Sequence, residues 1–314
     1  MAGDEPVVWT VTAEEAGARL DVVLAGQTGM SRSRIQRLIA EGRVLVDDAP
    51  AQKSLSVVAG SEVVLSPPAP PQPAPQPPPK VEIRFADQDI AVVAKPADLV
   101  VHDGAGVRGP TLVAALEAQG VPLADDGSGR PGIVHRLDRG TSGLLVVASS
   151  MDALERLREV FKAHDVHREY WTLVEGWPDP PAATIDAPIV RSTSNRTAFT
   201  TGDGGRESRT HYDTLAVHRA TGGVSSDTAE LRVTLDTGRT HQVRVHLRAI
   251  GRPVAGDLLY NGSPSLAADL GLERQALHAR RLAFDHPVTG AQVDLTEPLP
   301  PDLAAAQALV SAES

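Results

Sequence analysis

Two short apolar runs frame the chemistry of this chain. "DIAVVAKP", Asp89 to Pro96, and "SGLLVVAS", Ser142 to Ser149, are nearly continuous aliphatic stretches bounded by polar or glycine-bearing turns, a pattern that predicts buried strands. Between and after them, "TLVAALEAQ" (Thr111 to Gln119) and "MDALERLREVFKAHD" (Met151 to Asp165) repeat apolar residues at helical spacing. "REYWTLVEG", "SRTHYDTLAVH" and "AELRVTLDTG" predict further strands, and "THQVRVHLRAI" predicts a helix that starts near Thr240. Several of these strands follow one another with no helix between, so the fold class expected is α+β, with a mixed, largely antiparallel sheet flanked by helices. No internal repeat is evident.

Nearer the start the pattern changes. Ile35, Leu38 and Ile39 fall at helical spacing with Arg34 and Arg37 on the other side, Ser31 is placed to cap this helix and Gly42 to end it. "RVLV", the acidic turn "DDAP" and "SEVVL" then predict short strands, so a small α/β module precedes the larger one. "SPPAPPQPAPQPPPK" divides them, because proline lacks an amide donor and fixes φ, which excludes a strand or helix interior. As polyproline II it would reach on the order of 40 Å. It reads as a tether between folded segments; a ligand for a proline-binding domain is the competing reading. The division expected is a tail over residues 1–14, a module over 15–66, a linker over 67–80 and a large domain over 81–314.

Composition narrows the class. With 314 residues, 41% hydrophobic but only 3% aromatic, the core rests on Ala, Val and Leu, which singles out Tyr170, Trp171 and Tyr260. The absence of cysteine excludes disulfides and thiolate chemistry and suits a reducing cytoplasm. The first residues lack a basic segment followed by an apolar one and runs such as "GLLVVA" are too short to span a bilayer, so a soluble cytoplasmic protein is expected. A net charge of -10 argues against coating nucleic acid through bulk charge, yet arginines cluster in "SRSRIQRLIAEGR", "GRTHQVRVHLRAIGR" and "HARRL".

Candidate chemistry centres on "PGIVHRLDRGTSGLLVVAS", where Asp138 stands ahead of a glycine-flanked turn leading into a strand. On these residues alone, a surface aspartate paired with a neighbouring arginine explains it as well as a reactive carboxylate does. Two other segments favour the second reading. Tyr170 offers a flat face for a base, and Arg244, in the first turns of the helix from Thr240, would keep a nearby carboxylate ionised and oriented.

The pattern "RLDVVLA", "SRSRIQRLIAEGRVLV" and "EVVL" resembles the ribosomal-protein-S-four-type (alpha-L) RNA-binding domain, which implies phosphate contacts for Arg32, Arg34, Arg37 and Arg43. "HRLDRGTSGLLVVA", "REYWTLVEG", "GRTHQVRVHLRAIGRPVAGDLLY" and "QALHARRLAFDHPVTG" resemble the RluA/RluD-type pseudouridine synthase family in order and spacing. That resemblance implies a uridine isomerase of large-subunit ribosomal RNA, free or in an assembling subunit, with a small RNA-binding module ahead of the catalytic domain. It makes Asp138 the catalytic aspartate, Tyr170 the stacking partner of uracil, Arg244 the basic partner of Asp138, and Arg136 the residue bracing the space left by the extruded nucleotide. Gly140 and Ser149 depart from the family's frequent aspartate and lysine at those positions.

Such chemistry needs little equipment. Uracil leaves as a stabilised anion and no water need be activated, so one carboxylate suffices where a glycosidase uses two. Asp138 either attacks the ribose or removes a ribose proton, and both routes stay open here. No cofactor is called for. His241 and His246 lie five apart, off the spacing of a helical zinc pair, so no metal site is expected; His135 and His278 are read as hydrogen-bonding within the fold, and Asp257 and Tyr260 as lying outside the core site. Nothing demands more than a monomer. The alternative is a non-catalytic ribosome-assembly factor built from the same two modules.

Overall fold

The first elements of the computed structural model are the strand β1 (Val7–Thr10), helices α1 (Leu20–Thr28) and α2 (Arg32–Ala40), and strands β2 (Val44–Val46), β3 (Ala49–Pro50) and β4 (Glu62–Leu65). The structure describes residues 7–52, 54–66, 77–102, 109–195, 197–221 and 223–312, and it divides into two compact units, Met1–Ala74 and Pro75–Ser314. In the first unit, β1 pairs antiparallel with β4 in a sheet of order β1-β4-β2-β3. This corrects the expected tail over residues 1–14: Val11 is buried in the small core and Trp9 packs against it, so the segment belongs to the module. Residues 67–76 of the proline-rich linker lie outside the described residues.

Helix α2 forms as its pattern dictates. The Ser31 hydroxyl accepts from the amide of Arg34 at 3.4 Å, and Ile35, Leu38 and Ile39 are buried while Arg34 and Arg37 face solvent. Helix α1, which the patterning above did not single out, buries Leu20, Val23 and Leu24 at helical spacing and ends at Gly29 in the left-handed region, φ 70°.

The second unit runs β5 (Glu82–Ala86), β6 (Ile90–Lys95), α3 (Leu112–Ala118), β7 (Ser142–Ala148), α4 (Met151–Ala163), β8 (His167–Glu175), β9 (Ala182–Asp186), β10 (Ile189–Arg191), β11 (Phe199–Thr201), β12 (Arg209–His218), β13 (Thr228–Leu235), α5 (Gln242–Ala249), α6 (Pro264–Asp269), β14 (Leu277–Asp285), β15 (Gln292–Thr296) and α7 (Pro301–Ser311). Its main sheet has nine strands in the order β5-β6-β7-β14-β8-β13-β12-β9, with β15 beside β14. The pair β7 and β14 is parallel and the other named pairs are antiparallel, so the sheet is mixed and largely antiparallel. Every residue of β7 is buried, which explains its unbroken aliphatic run. Gly143 lets β14 approach it: at φ 115° a Cβ there would lie 2.2 Å from the carbonyl oxygen of Ala279. Among the described residues no helix is long and apolar enough to cross a membrane.

Two histidines, His278 buried and His135 half-buried, tie this sheet together and make it acid-sensitive. His135 Nε2 accepts from the amide of Val146 at 3.1 Å and its ring stacks on Phe161, while His278 Nδ1 meets the Ser142 hydroxyl at 2.9 Å. Burial pushes them down from 6.5, to about 3 and about 4 respectively. The unfolded chain therefore takes up protons below pH 6.5 that the folded chain refuses, so stability falls from pH 6.5 toward 4 by up to about 1.4 kcal/mol per pH unit for each histidine. Denaturant melts across this window should show the loss, and His135→Gln, which keeps an acceptor but cannot titrate, should flatten the slope by about half.

Candidate functional site

Asp138 is presented by the loop that enters β7, and three buried side chains fix that loop. Lys95, at the end of β6, donates its ammonium to the carbonyls of Pro96 (2.8 Å), Leu99 (2.9 Å) and Arg139 (3.1 Å). Burial pulls its pKa down to about 7, with Asp138 opposing. Arg274 donates to the carbonyl of Gly140 at 2.8 Å while gripping Asp302, and Gln275 donates to the hydroxyl of Thr141 at 3.2 Å. A Cβ at Gly140 would sit 2.6 Å from Gln275 Oε1, which gives the glycine at this departure from the family pattern a packing reason.

The carboxylate of Asp138 faces α5. Arg244 donates Nη1 to Asp138 Oδ2 at 3.1 Å, and its Nε and Nη2 reach Asp257 at 2.6 and 2.8 Å. Its guanidinium also lies 4.8 Å from the centre of the Tyr260 ring. Burial opposes the charge on Arg244, yet the two carboxylates hold its pKa above the ordinary value. Asp257 and Tyr260 are thus part of the site rather than outside it, because a buried guanidinium needs more than one partner.

Asp138 Oδ1 points toward His241 Nε2 at 4.0 Å. The Tyr260 hydroxyl accepts from the amide of Phe199 at 3.0 Å and meets His241 Nδ1 at 2.7 Å, which fixes the imidazole with its Nε2 turned to Asp138. Burial holds His241 below the usual histidine value, again with Asp138 opposing. His246, by contrast, bonds to Thr210 and the carbonyl of Ala187 inside the fold, so the two histidines share no ligand position.

Asp138, Arg244, Arg136 and Tyr170 all line one cavity of about 560 Å³, a size typical of ligand pockets. Tyr170, on β8, is buried, and burial raises its phenol above the ordinary value, so it presents a neutral ring. Among the described residues the lining holds Arg130, Arg136, Arg158, Lys162, Arg168, Arg239 and Arg244 against the carboxylate of Asp138. In a chain of net charge -10 this is a strong local reversal of sign, suited to a polyanion.

The four module arginines lie in the other unit. Arg34 and Arg37 are exposed on α2, whereas Arg32 bonds at 3.1 Å to Asp21, a fully buried carboxylate that Arg19 and Gln36 also bind. Arg43 is half-exposed with Glu41 at 3.4 Å. As for metals, Asp87, Asp89 and His286 converge at the turn between β5 and β6, among the described residues. His286 Nδ1 accepts from the amides of Val288 and Thr289, its Nε2 faces Asp87 at 2.9 Å, and Asp89 takes the Ser150 hydroxyl at 2.7 Å, so these groups satisfy one another.

Residues 89–249, the loop, β8 and α5 included, match the family model for RNA pseudouridylate synthase. The chain belongs to this family. Over 292 residues the synthase is 44% identical to an uncharacterized RNA pseudouridine synthase of Mycobacterium bovis, covering 92% of each chain. It is 36% identical over 315 residues to ribosomal large subunit pseudouridine synthase D of Escherichia coli, covering 96% of this chain and 94% of that one. Among solved structures it resembles human RNA pseudouridylate synthase domain containing 1, with a TM-score of 0.57, 27% identity, and coverage of 72% and 87%. The pseudouridine synthase fold and the conversion of uridine to pseudouridine in RNA follow from this membership.

Proposed function

We propose that this synthase isomerises uridines of large-subunit ribosomal RNA, with Asp138 as its catalytic carboxylate. The carrying observation is a carboxylate, held by Arg244, in a cavity whose other charged lining, among the described residues, is cationic. The target nucleotide leaves its stack, at about a few kcal/mol, and enters the cavity, where cations receive its phosphates and Tyr170 stacks on the uracil. Asp138 begins the reaction by attack on the ribose or removal of a ribose proton, and the bond from C1′ to N1 breaks. The uracil turns while enclosed and C5 bonds to C1′ as either the Asp138–C1′ bond breaks or the ribose regains its proton from Asp138; C5 then loses its proton and N1 gains one, so the product is an isomer, the carboxylate is regenerated and nothing else is consumed. Arg136 braces the space the nucleotide leaves. Arg244, kept charged by Asp257, holds Asp138 in orientation.

Residues 15–66, with the added strand β1, act as a ribosomal-protein-S-four-like module that brings structured RNA to the enzyme across the proline-rich linker. Arg34 and Arg37, solvent-facing on α2, and Arg43 touch phosphate; Arg32 does so from its ion pair with Asp21. On this reading the enzyme works as a monomer in the cytoplasm, on ribosomal RNA or an assembling subunit. The relatives named for the large ribosomal subunit favour that substrate. Mapping pseudouridine across ribosomal RNA from cells with and without the gene tests it: one or more large-subunit positions should revert to uridine. An unchanged map would remove large-subunit RNA as the substrate.

A further inference from the structure

Among the described residues three arginines are buried, and they differ in what they touch. Arg244 meets Asp257 and Asp138, and Arg274 meets Asp302. Arg168, only 8% exposed, has no carboxylate within 4.0 Å among the described residues. Its Nη2 donates to the carbonyls of Leu235 (3.3 Å) and Asp236 (3.2 Å), its Nε is buried without any partner, and its Nη1 has no acceptor among the described residues. The nearby carboxylate of Asp236 is engaged instead by His211 at 3.0 Å and Arg209 at 3.8 Å. A buried cation without a counter-charge opposes folding, so a chain that elsewhere pairs its buried arginines keeps this one for something outside itself.

Its position says what. Arg168 precedes Tyr170 by two residues on β8, so both side chains leave the same face of the strand and line the same cavity. Arg168 also lines an adjoining groove of about 420 Å³, which makes it a wall common to the two. Gly238 lies against its Nη1: a Cβ there would stand 2.7 Å away, so the glycine leaves the guanidinium room. Arg130, Lys162 and Arg239 line the same cavity and reinforce a site for a strongly charged anion.

From this we infer that Arg168 binds a backbone phosphodiester of the RNA strand beside the nucleotide whose uracil rests on Tyr170. The inference rests on the reading that the cavity admits a nucleotide of an RNA strand, and it adds a binding role separate from the reacting atoms. A guanidinium whose outer nitrogen is already free provides such a contact with little rearrangement.

Arg168→Gln tests it, with in vitro transcribed, unmodified large-subunit ribosomal RNA as the probe. In turnover, KM should rise about tenfold with kcat within about twofold, as for contacts that hold substrate and transition state alike. In binding, Asp138→Asn and Asp138→Asn/Arg168→Gln are compared across a salt series, and loss of one phosphate contact should reduce the slope of log affinity against log salt by about 1. Arg168→Lys, which keeps the charge, should restore most of that slope. Without RNA, the melting temperature of Arg168→Gln should match or exceed that of the wild type, because an unpaired buried charge has gone. Three results would each overturn the inference: a lower melting temperature with KM and slope intact, a fall in kcat with the slope intact, or no change in either arm. Should the wild type form no pseudouridine in this RNA, the ribosomal substrate reading fails, while the salt comparison still reports on Arg168.

Discussion

Asp138→Asn is expected to leave no measurable pseudouridine while the protein stays folded and keeps its hold on RNA. The substitution exchanges one oxygen for an amide of the same shape and removes the negative charge that starts the reaction, so the rate should fall by on the order of 10³-fold or more. Folding should survive because Arg244 remains paired with Asp257. RNA affinity should hold or improve, since the variant deletes a negative charge from a lining that, among the described residues, is otherwise charged by arginines and a lysine. Pseudouridine quantified in a transcribed ribosomal RNA, beside a binding titration on the same sample, checks both halves. Retained turnover would remove Asp138 from the mechanism, and full rescue of gene loss by the inert variant would favour the assembly-factor reading.

Arg244→Ala should damage both stability and turnover. Removing the guanidinium strands Asp257, which is 2% exposed, as a buried charge without a cation, and breaking such a pair costs about 3–5 kcal/mol. It also frees Asp138 to rotate, so turnover should fall on the order of 10²-fold even in the fraction that folds. Arg244→Lys separates the two effects. A lysine supplies charge to Asp257 but not the fork that spans Asp257 and Asp138 together, so it should recover much of the stability and little of the activity. Urea denaturation and single-turnover kinetics on the pair of variants measure this. An alanine variant as stable and active as the wild type would show that the ion-paired cluster matters to neither.

The strands β6, β7, β8, β12 and β13 and the helices α3 to α5 were legible in the sequence because each carries its own period. Strand β14 was not, since Arg280 and Arg281 interrupt its apolar alternation and its place comes from long-range pairing with β7 and β8. Strand β1 was missed for the same kind of reason: its partner is more than fifty residues away, at Glu62–Leu65. Around the cavity, Asp138, Tyr170 and Arg244 stood out because their surrounding motifs are dense in chemistry. Tyr260 drew notice only as one of few aromatics and His241 only as a possible metal ligand, and Asp257 not at all as a partner, because "GDLLYNG" reads as an ordinary turn until folding sets it against Arg244. Arg168 was invisible as a feature of interest, for an arginine on a strand shows its want of a counter-charge only once its neighbours are known.

Strand β14 occupies the middle of the main sheet, between β7 and β8, yet it is formed by residues 277–285, near the end of the chain. The loop bearing Asp138 and the strand bearing Tyr170 are therefore held side by side by a strand that comes roughly a hundred residues after Tyr170. A chain in which β14 has not yet inserted has both halves of its reaction centre but nothing to wedge between them, so assembly of the site waits on this long-range pairing.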